Sequence, residues 1–500
     1  MEPLDTAACY RALQTRDPRF DGRFFVGVTS TGIYCRPICP ARTAKREHCR
    51  FFPSAAAAQE AGFRPCLRCR PERAPELAAW RGSSNSVSRA LALIADGALD
   101  DAGAGVDALA ERVGLGGRQL RRLFEQHLGA SPIAVAQTRR VLFAKQLIQE
   151  TRLPMATVAL AAGFGSVRRF NDTFHRLFAR PPSALRRRAA SGGEPRRAEA
   201  GVTLRLCYRP PYDWPAMLEH LEARAVPGVE VVDGDAYRRT VAHAGLFGTI
   251  EVRHEPARRG LAATLRFPAV RALPAILERV RRVFDVAADI QTIGAHLSQD
   301  PFLARLIARR PGLRAPGGWD GFELAVRAVL GQQISLAAAR RLAGELVELC
   351  GDPLPPEAAR PGLSRAFPTA GQVAAADLGG LGMPGSRRAA LKALAEAALA
   401  DGRLFHPLGP VEETIDRLRA IRGVGDWTAQ YIALRALRET DAFPVTDLGL
   451  LRGAARRPGA RATPRDLLRR AEPWRPWRAY AAQHLWTADA RTARPGKDAP

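Results

Sequence analysis

The chain has 500 residues, more than one hydrophobic core usually serves, so several domains are expected, and an apolar fraction of 46% lets each bury a core. Seventy-five Lys and Arg against 50 Asp and Glu leave a net charge of +25 spread along the chain, which suits a polyanionic partner, although an Arg-rich composition alone gives the same excess. Met1–Phe20 has no basic start followed by an apolar stretch, and no apolar run is long enough to span a bilayer, which argues against export and membrane insertion and predicts a soluble, cytoplasmic protein.

The first segment, residues 1 to about 80, holds the cysteine cluster. Cys35, Cys39, Cys66 and Cys69 form two tight knuckles, while Cys9, Cys207 and Cys350 are scattered and Cys49 lies in the intervening loop. That grouping predicts a metal site rather than disulfides, with four thiolates around one tetrahedral Zn²⁺. Spacing alone fits a purely structural zinc site. Arg81–Ser86 reads as a linker. The stretches Thr31–Cys39 and Ala61–Cys69 resemble the N-terminal domain of the Ada adaptive-response regulators, a likeness covering residues 5 to 75. The resemblance implies that Cys35 irreversibly accepts a methyl group from a DNA methylphosphotriester. Four thiolates on Zn²⁺ carry a formal charge of about −2, which keeps Cys35 nucleophilic, and methylation removes one negative charge from a face that approaches phosphates.

From Ser88 to about Arg188 apolar residues recur at helical intervals. A helix over 106–113 closed by a glycine turn precedes one over 118–128 carrying Arg118, Gln119, Arg121 and Arg122. The pattern recurs as Met155–Ala162, a turn at Gly163–Gly165, an N-cap at Ser166 and a helix with Arg168, Arg169, Asn171 and Arg176. Each second helix suits a recognition role, with a solvated helical hairpin as the bland alternative. Two such units joined by a helix over 133–150 resemble the AraC-type DNA-binding module over residues 88–188. Arg186–Arg188 and the polar stretch Ala189–Ala200 then mark a boundary.

Residues 203 to about 290 mix short strands, such as Val202–Leu206 and Thr264–Phe267, with helices such as Ala272–Val283, an α+β pattern. From Pro301 to Ala488 the chain reads as helical, with the last dozen residues frayed. Leu418–Trp427 is a helix, a hairpin bracketed by Gly423 and Gly425, and a second helix start, where backbone N–H groups can approach a phosphate. Just beyond, Phe443–Asp447 places a carboxylate that, taken alone, is more often an N-cap than a reactive group. Together these resemble the helix-hairpin-helix, Gly/Pro-Asp glycosylase superfamily, its AlkA-type 3-methyladenine glycosylases in particular, from Leu204 to Thr487. That resemblance implies Asp447 as catalytic carboxylate, Trp427, Tyr431 and Trp486 lining the base pocket, and Gln333 at the wedge position, where AlkA has Leu. Bifunctional members carry a lysine where this chain has Trp427, so strand cleavage through a Schiff base is not expected. The C-terminal half has only Cys350, so no four-cysteine iron-sulfur cluster can form there.

The resulting expectation is a multidomain chain, mainly α with α+β parts. It comprises a small zinc domain (1–80), an AraC-type double helix-turn-helix (86–188), an α+β AlkA-like N-terminal domain (203–315) and an all-α helix-hairpin-helix glycosylase domain (316–490). The expected function is alkylation repair with transcriptional activation, Zn²⁺ as cofactor, damaged and promoter DNA as partners and RNA polymerase as a further one. The competing expectation is a DNA-binding regulator with a structural zinc site and no base excision.

Overall fold

A computed structural model describes residues 4–75, 85–95, 97–100, 105–186, 201–406, 411–455 and 462–492. The polar boundary at 189–200, most of the expected linker (81–84) and the terminal residues 493–500 lie outside them. The chain divides into two units, Met1–Arg209 with His243–Glu278, and Pro210–Ala242 with Arg279–Pro500. The division passes through the stretch expected as a separate α+β domain.

The first unit begins with α1 (Thr6–Thr15), whose N-cap Asp5 accepts from the N–H groups of Ala7 and Ala8. A four-stranded sheet follows in the order β3-β1-β2-β4, made of β1 (Phe25–Val28), β2 (Ile33–Cys35), β3 (Cys49–Phe52) and the two-residue β4 (Arg64–Pro65), with α2 (Ala55–Glu60) on the chain between β3 and β4. Phe25, Tyr34, Phe52 and Phe63 form its aromatic core.

Six helices come next: α3 (Asn85–Ala95), α4 (Val106–Arg112), α5 (Gly117–Leu128), α6 (Pro132–Glu150), α7 (Met155–Ala161) and α8 (Val167–Phe178). Asn85 and Ser86, expected in the linker, are already helical. α6 starts one residue earlier than expected because Ser131 caps Ala134 N and Pro132 occupies the first helical position, where its missing N–H costs nothing. Ser166 caps α8 through Arg169 N. Leu120, Phe124 and Leu128 on α5, and Phe170, Phe174 and Phe178 on α8, recur every four residues and are all buried, so one stripe packs inward and the arginines are left on the solvent side.

A buried ionic network ties these parts together. Lys145 of α6 is fully buried, pairs with Glu72 and donates to the Cys66 carbonyl at 3.2 Å. Burial pulls its pKa down, against the opposing pull of Glu72. Glu72 also takes Arg70 at 3.0 Å, and Glu150 at the end of α6 takes Arg70 and Arg73. Glu150 further accepts from Arg205 N, at 3.1 Å, on β5 (Val202–Cys207).

After β5 the chain forms α9 (Trp214–Glu222), β6 (Glu230–Asp233), β7 (Ala236–His243), β8 (Leu246–Glu255), β9 (Gly260–Arg266) and α10 (Leu273–Val283). In the first unit β5, β9 and β8 pair antiparallel, with Leu204 opposite Ala263 and Val252 opposite Ala263 on the other side.

In the second unit β6 and β7 form an antiparallel pair. The helices are α11 (Ile290–Leu297), α12 (Pro301–Arg309), α13 (Gly321–Leu330), α14 (Leu336–Cys350), α15 (Ala370–Ala375), α16 (Gly385–Ala400), α17 (Val411–Arg419), α18 (Asp426–Arg435), α19 (Leu448–Gly453), α20 (Pro464–Arg470) and α21 (Arg478–Thr492). α13 packs against both α16 and α18 and is buried on nearly every side. Its Glu323 forms a buried cluster with Arg239, Arg327 and Glu230, in which burial pushes Glu230 up but Arg327 and Arg239 outweigh it and hold it at about 2.

His484 on α21 is 8% exposed, and burial, with Arg310 adding to it, drops its pKa to about 4. A base whose folded pKa is depressed binds fewer protons folded than unfolded, so its stability contribution is full above the unfolded value near 6.5 and is lost as pH falls toward 4. Chemical denaturation at pH 7 and pH 5 should show the second unit weakening by about 2 kcal/mol from this residue, and His484→Gln should flatten that slope. An unchanged slope in the variant would remove His484 as the cause.

Candidate active site and metal centre

The hairpin runs from the end of α17 to the start of α18. Leu418 and Ile421 are buried, Val424 N donates to the Ile421 carbonyl at 3.0 Å, and Arg422, Gly423, Gly425 and Asp426 are exposed at the tip. The two glycines have different reasons. Gly423 sits at φ +85°, and a Cβ there would lie 2.4 Å from Ala390 Cβ on α16, so no other residue fits without displacing that helix. Gly425 is the N-cap of α18 with ordinary backbone angles and offers no side chain to cap it.

The turn after α13 grips this hairpin. Gln332 Nε2 donates at 3.0 Å to both the Gly423 carbonyl and Thr428 Oγ1, and Arg387 holds the Gln332 carbonyl at 2.5 Å. Gln333 beside it is exposed, in the left-handed region at φ +57°. Nothing in the spacing of Gly331–Gln333 pointed to Gln332 as the gripping residue, because the contact joins positions 91 and 96 residues apart.

Asp447 precedes α19 and is half-buried. Its Oδ1 accepts from Leu450 N at 3.0 Å, the N-cap bond, and from Trp486 Nε1 at 2.8 Å; its Oδ2 accepts from Trp427 Nε1 at 2.7 Å. The capping and functional readings of this residue therefore coexist. Each carboxylate oxygen has two lone pairs, so one acceptor position remains, on Oδ2.

Trp427 and Tyr431 lie one turn apart on α18 with rings 5.3 Å apart and 13° from parallel, and Trp486 meets Tyr431 edge-on at 6.3 Å. All three are partly exposed. The structure brings the three aromatics together, but Trp427 and Tyr431 cover each other's facing surfaces, so a base would meet their outer faces rather than the gap between them. Behind them Arg435 is 2% exposed, its guanidinium 5.0 Å from the Trp486 ring, with Nη1 on the Pro316 carbonyl and Nη2 on Gln483. Burial lowers Arg435 to about 10; burial also raises the Tyr431 hydroxyl, but Arg224 and Arg435 more than reverse that. A cavity of about 680 Å³ elsewhere in this unit, lined by His296, Asp300, Phe302, Arg470 and Trp474 among others, shares no residue with the cluster.

In the first unit, Cys35 ends β2, Cys39 follows one turn later, and Cys66 and Cys69 bracket the turn after β4. The four sulfurs lie within 4.8 Å of one another and are largely buried. Tetrahedral Zn–S bonds of about 2.3 Å place sulfurs about 3.8 Å apart, so this set fits the ion. Arg36 N and Arg68 N donate at 3.3 Å to the sulfurs of Cys69 and Cys66. Mutual hydrogen bonds among the four crowded thiols push Cys35 and Cys69 up and pull Cys39 and Cys66 down, so the cluster titrates as a unit. Among the described residues this is the one cluster with metal-ligand geometry.

Arg118, Gln119 and Arg122 on α5 and Arg168, Arg169, Asn171 and Arg176 on α8 are all exposed. Arg121 is drawn to Asp107 at 3.4 Å.

Four family descriptions match successive stretches of the chain: the metal binding domain of Ada over residues 8–72, a helix-turn-helix domain over 109–188, the AlkA N-terminal domain over 203–320, and HhH-GPD superfamily base excision DNA repair protein over 326–479. The chain is 44% identical to the probable bifunctional transcriptional activator/DNA repair enzyme AlkA of Mycobacterium tuberculosis, over 97% of this chain and 96% of that one. It is 39% identical to DNA-3-methyladenine glycosylase 2 of Escherichia coli, over 56% of this chain and 95% of that one. Among solved structures, the 3-methyladenine DNA-glycosylase from Archaeoglobus fulgidus superposes with a TM-score of 0.51 at 22% identity, covering 57% of this chain and 98% of that one, which bears on the fold alone.

Proposed function

Because the chain belongs to the family of bifunctional transcriptional activator/DNA repair enzymes of the AlkA type, we propose that Asp447 drives excision of alkylated bases and that Cys35 takes methyl groups from DNA methylphosphotriesters. The protein is a DNA alkylation-repair glycosylase with a zinc-binding Ada-type domain and a DNA-binding helix-turn-helix. The observation that carries the excision reading is the half-buried Asp447 carboxylate, at the edge of three aromatic rings and just past a glycine hairpin that can approach a phosphate.

Excision breaks the C1′–N bond, the bonding electrons leaving with the base, and water then adds to C1′. A 3-methylated adenine or 7-methylated guanine is positively charged, so it leaves readily and sits well against the electron-rich outer faces of Trp427, Tyr431 and Trp486. The Asp447 carboxylate stabilises the positive charge that develops on the sugar, and its open Oδ2 position can accept a proton from the attacking water. Gln333, exposed on the turn clamped by Gln332, fills the gap left in the duplex, and the tip N–H groups around Gly423 and Gly425 hold the backbone.

At the other site, Cys35, Cys39, Cys66 and Cys69 would hold Zn²⁺, which when bound supplies thiolates at neutral pH. The Cys35 sulfur attacks the methyl carbon of the phosphotriester; an S–C bond forms, the C–O bond breaks, and its electrons return to oxygen as the phosphodiester anion. Arg118, Gln119, Arg122, Arg168 and Arg169 face promoter DNA. As an activator the protein would engage RNA polymerase in the cytoplasm, and no helix among the described residues is long and apolar enough to cross a membrane.

Two measurements test the pair of assignments. Methylated DNA incubated with the protein should release free 3-methyladenine. Intact-mass analysis after exposure to methylphosphotriester DNA should show one added methyl group, mapping to Cys35 and absent in Cys35→Ala; a protein that gains no methyl group has a purely structural zinc site.

A further inference from the structure

We propose that Trp427 and Trp486 are positioning residues that fix the Asp447 carboxylate through their indole N–H groups, and that stacking on the base is their lesser role. The inference rests on the assignment of Asp447 to excision.

The two indoles reach the carboxylate from different helices, α18 and α21, one to each oxygen, at 2.7 and 2.8 Å. With Leu450 N on Oδ1, turning the carboxyl group breaks several charge-assisted bonds at once. The chemistry of the donor matters more than its strength. An arginine could hold the carboxylate as firmly but would cancel the negative field that a developing sugar cation needs, whereas an indole orients the group and leaves its charge intact. The nearby arginines are engaged elsewhere: Arg452 forms a two-point pair with Asp489 at 2.8 and 2.9 Å, and Arg435 binds the Pro316 carbonyl and Gln483. The rings, meanwhile, are poorly placed to sandwich a base, since Tyr431 covers one face of Trp427, and swinging either indole around would break its bond to Asp447.

The contact is built into the packing of α19 against α21. A Cβ on Gly453 would lie 2.1 Å from the Leu485 carbonyl, so the helices approach as closely as backbone allows. A Cβ on Gly449 would lie 3.0 Å from both Asp447 Oδ1 and Trp486 Cδ1, so the missing side chain leaves room for the indole edge to reach the carboxylate. The Arg452–Asp489 pair fastens the same two helices.

The test is single-turnover excision on 3-methyladenine DNA, together with the Kd for that same base-containing duplex, read from the dependence of the rate on protein concentration. Trp427→Phe and Trp486→Phe keep an aromatic face and lose the donor. Each should slow excision about tenfold to a hundredfold, with Kd changed little. On an Asp447→Asn background the same substitutions should add almost nothing, because their partner's charge is gone. Weakened binding with an unchanged rate, or an equal loss in both backgrounds, overturns the proposal. If Asp447→Asn alone excises at the wild-type rate, it is the underlying assignment that fails. Should either Phe variant melt early, Gly449→Ala carries the test, since it crowds the Trp486 edge with both indoles present; undiminished excision in it overturns the proposal.

Discussion

Asp447→Asn should cut release of 3-methyladenine from methylated DNA by about a hundredfold to a thousandfold and leave the melting temperature nearly unchanged. Stability is spared because asparagine caps a helix about as well as aspartate, so its side-chain oxygen can keep the Leu450 and Trp486 donors now on Oδ1. The amide NH₂ would face Trp427 Nε1, donor against donor, at a cost of about 1 kcal/mol, small beside the catalytic loss. What disappears is the full negative charge opposite a sugar that becomes cationic as the bond breaks. A neutral deaminated base such as hypoxanthine, a poorer leaving group, depends more on that charge and should lose more. Chromatography of released bases against time measures both, and undiminished release would remove Asp447 from the mechanism.

The second large effect concerns stability. Glu72→Gln should destabilise the first unit by about 3–5 kcal/mol, because it removes the countercharge of the fully buried Lys145 and leaves one neutral amide oxygen where two carboxylate oxygens served Lys145 and Arg70. Lys145→Met should cost less, since Glu72 keeps Arg70 at 3.0 Å. Combining both changes should recover part of the Glu72→Gln loss, because no isolated ammonium then remains. The pH dependence has a definite sign. Lys145 is a base with a lowered folded pKa, so in Glu72→Gln the unfolded chain holds the extra proton up to about pH 10.4, and stability should rise as pH increases toward that value. Urea unfolding of the three variants at two pH values decides it; a Glu72→Gln loss below about 1 kcal/mol would mean that the site rehydrates instead of staying dry.

The features legible in the sequence were those whose chemistry is local. The knuckle spacing of Cys35, Cys39, Cys66 and Cys69 sufficed to anticipate the sulfur cluster, and Ser166 before an apolar stripe sufficed for the start of α8. Asp447 by itself read as a cap, its reactive role implied only by the family resemblance, and the structure makes it a cap whose other oxygen accepts from Trp427. Features created only when distant segments meet were not legible. Gln332 gives no sign of gripping a hairpin 91 residues away, and Lys145, in a helix read as a plain connector, gives none of being buried against the cysteine knuckles. Gly449 and Gly453, four apart in a six-residue helix, did carry a signal for close helix packing, one that hydrophobic periodicity does not register. The stacking of Trp427 on Tyr431 was not foreseen either, although two rings one turn apart on the same helix are placed to meet.

The bond from Arg205 N to Glu150 bears on how the polypeptide can be dissected. A cut anywhere in the polar tract between α8 and β5 would look harmless on composition, yet it would part that strand from the connector helix whose end carries Glu150. The regulatory portion is thus completed by sequence lying downstream of its apparent finish, and fragments trimmed to the visible seam would each inherit a raw edge.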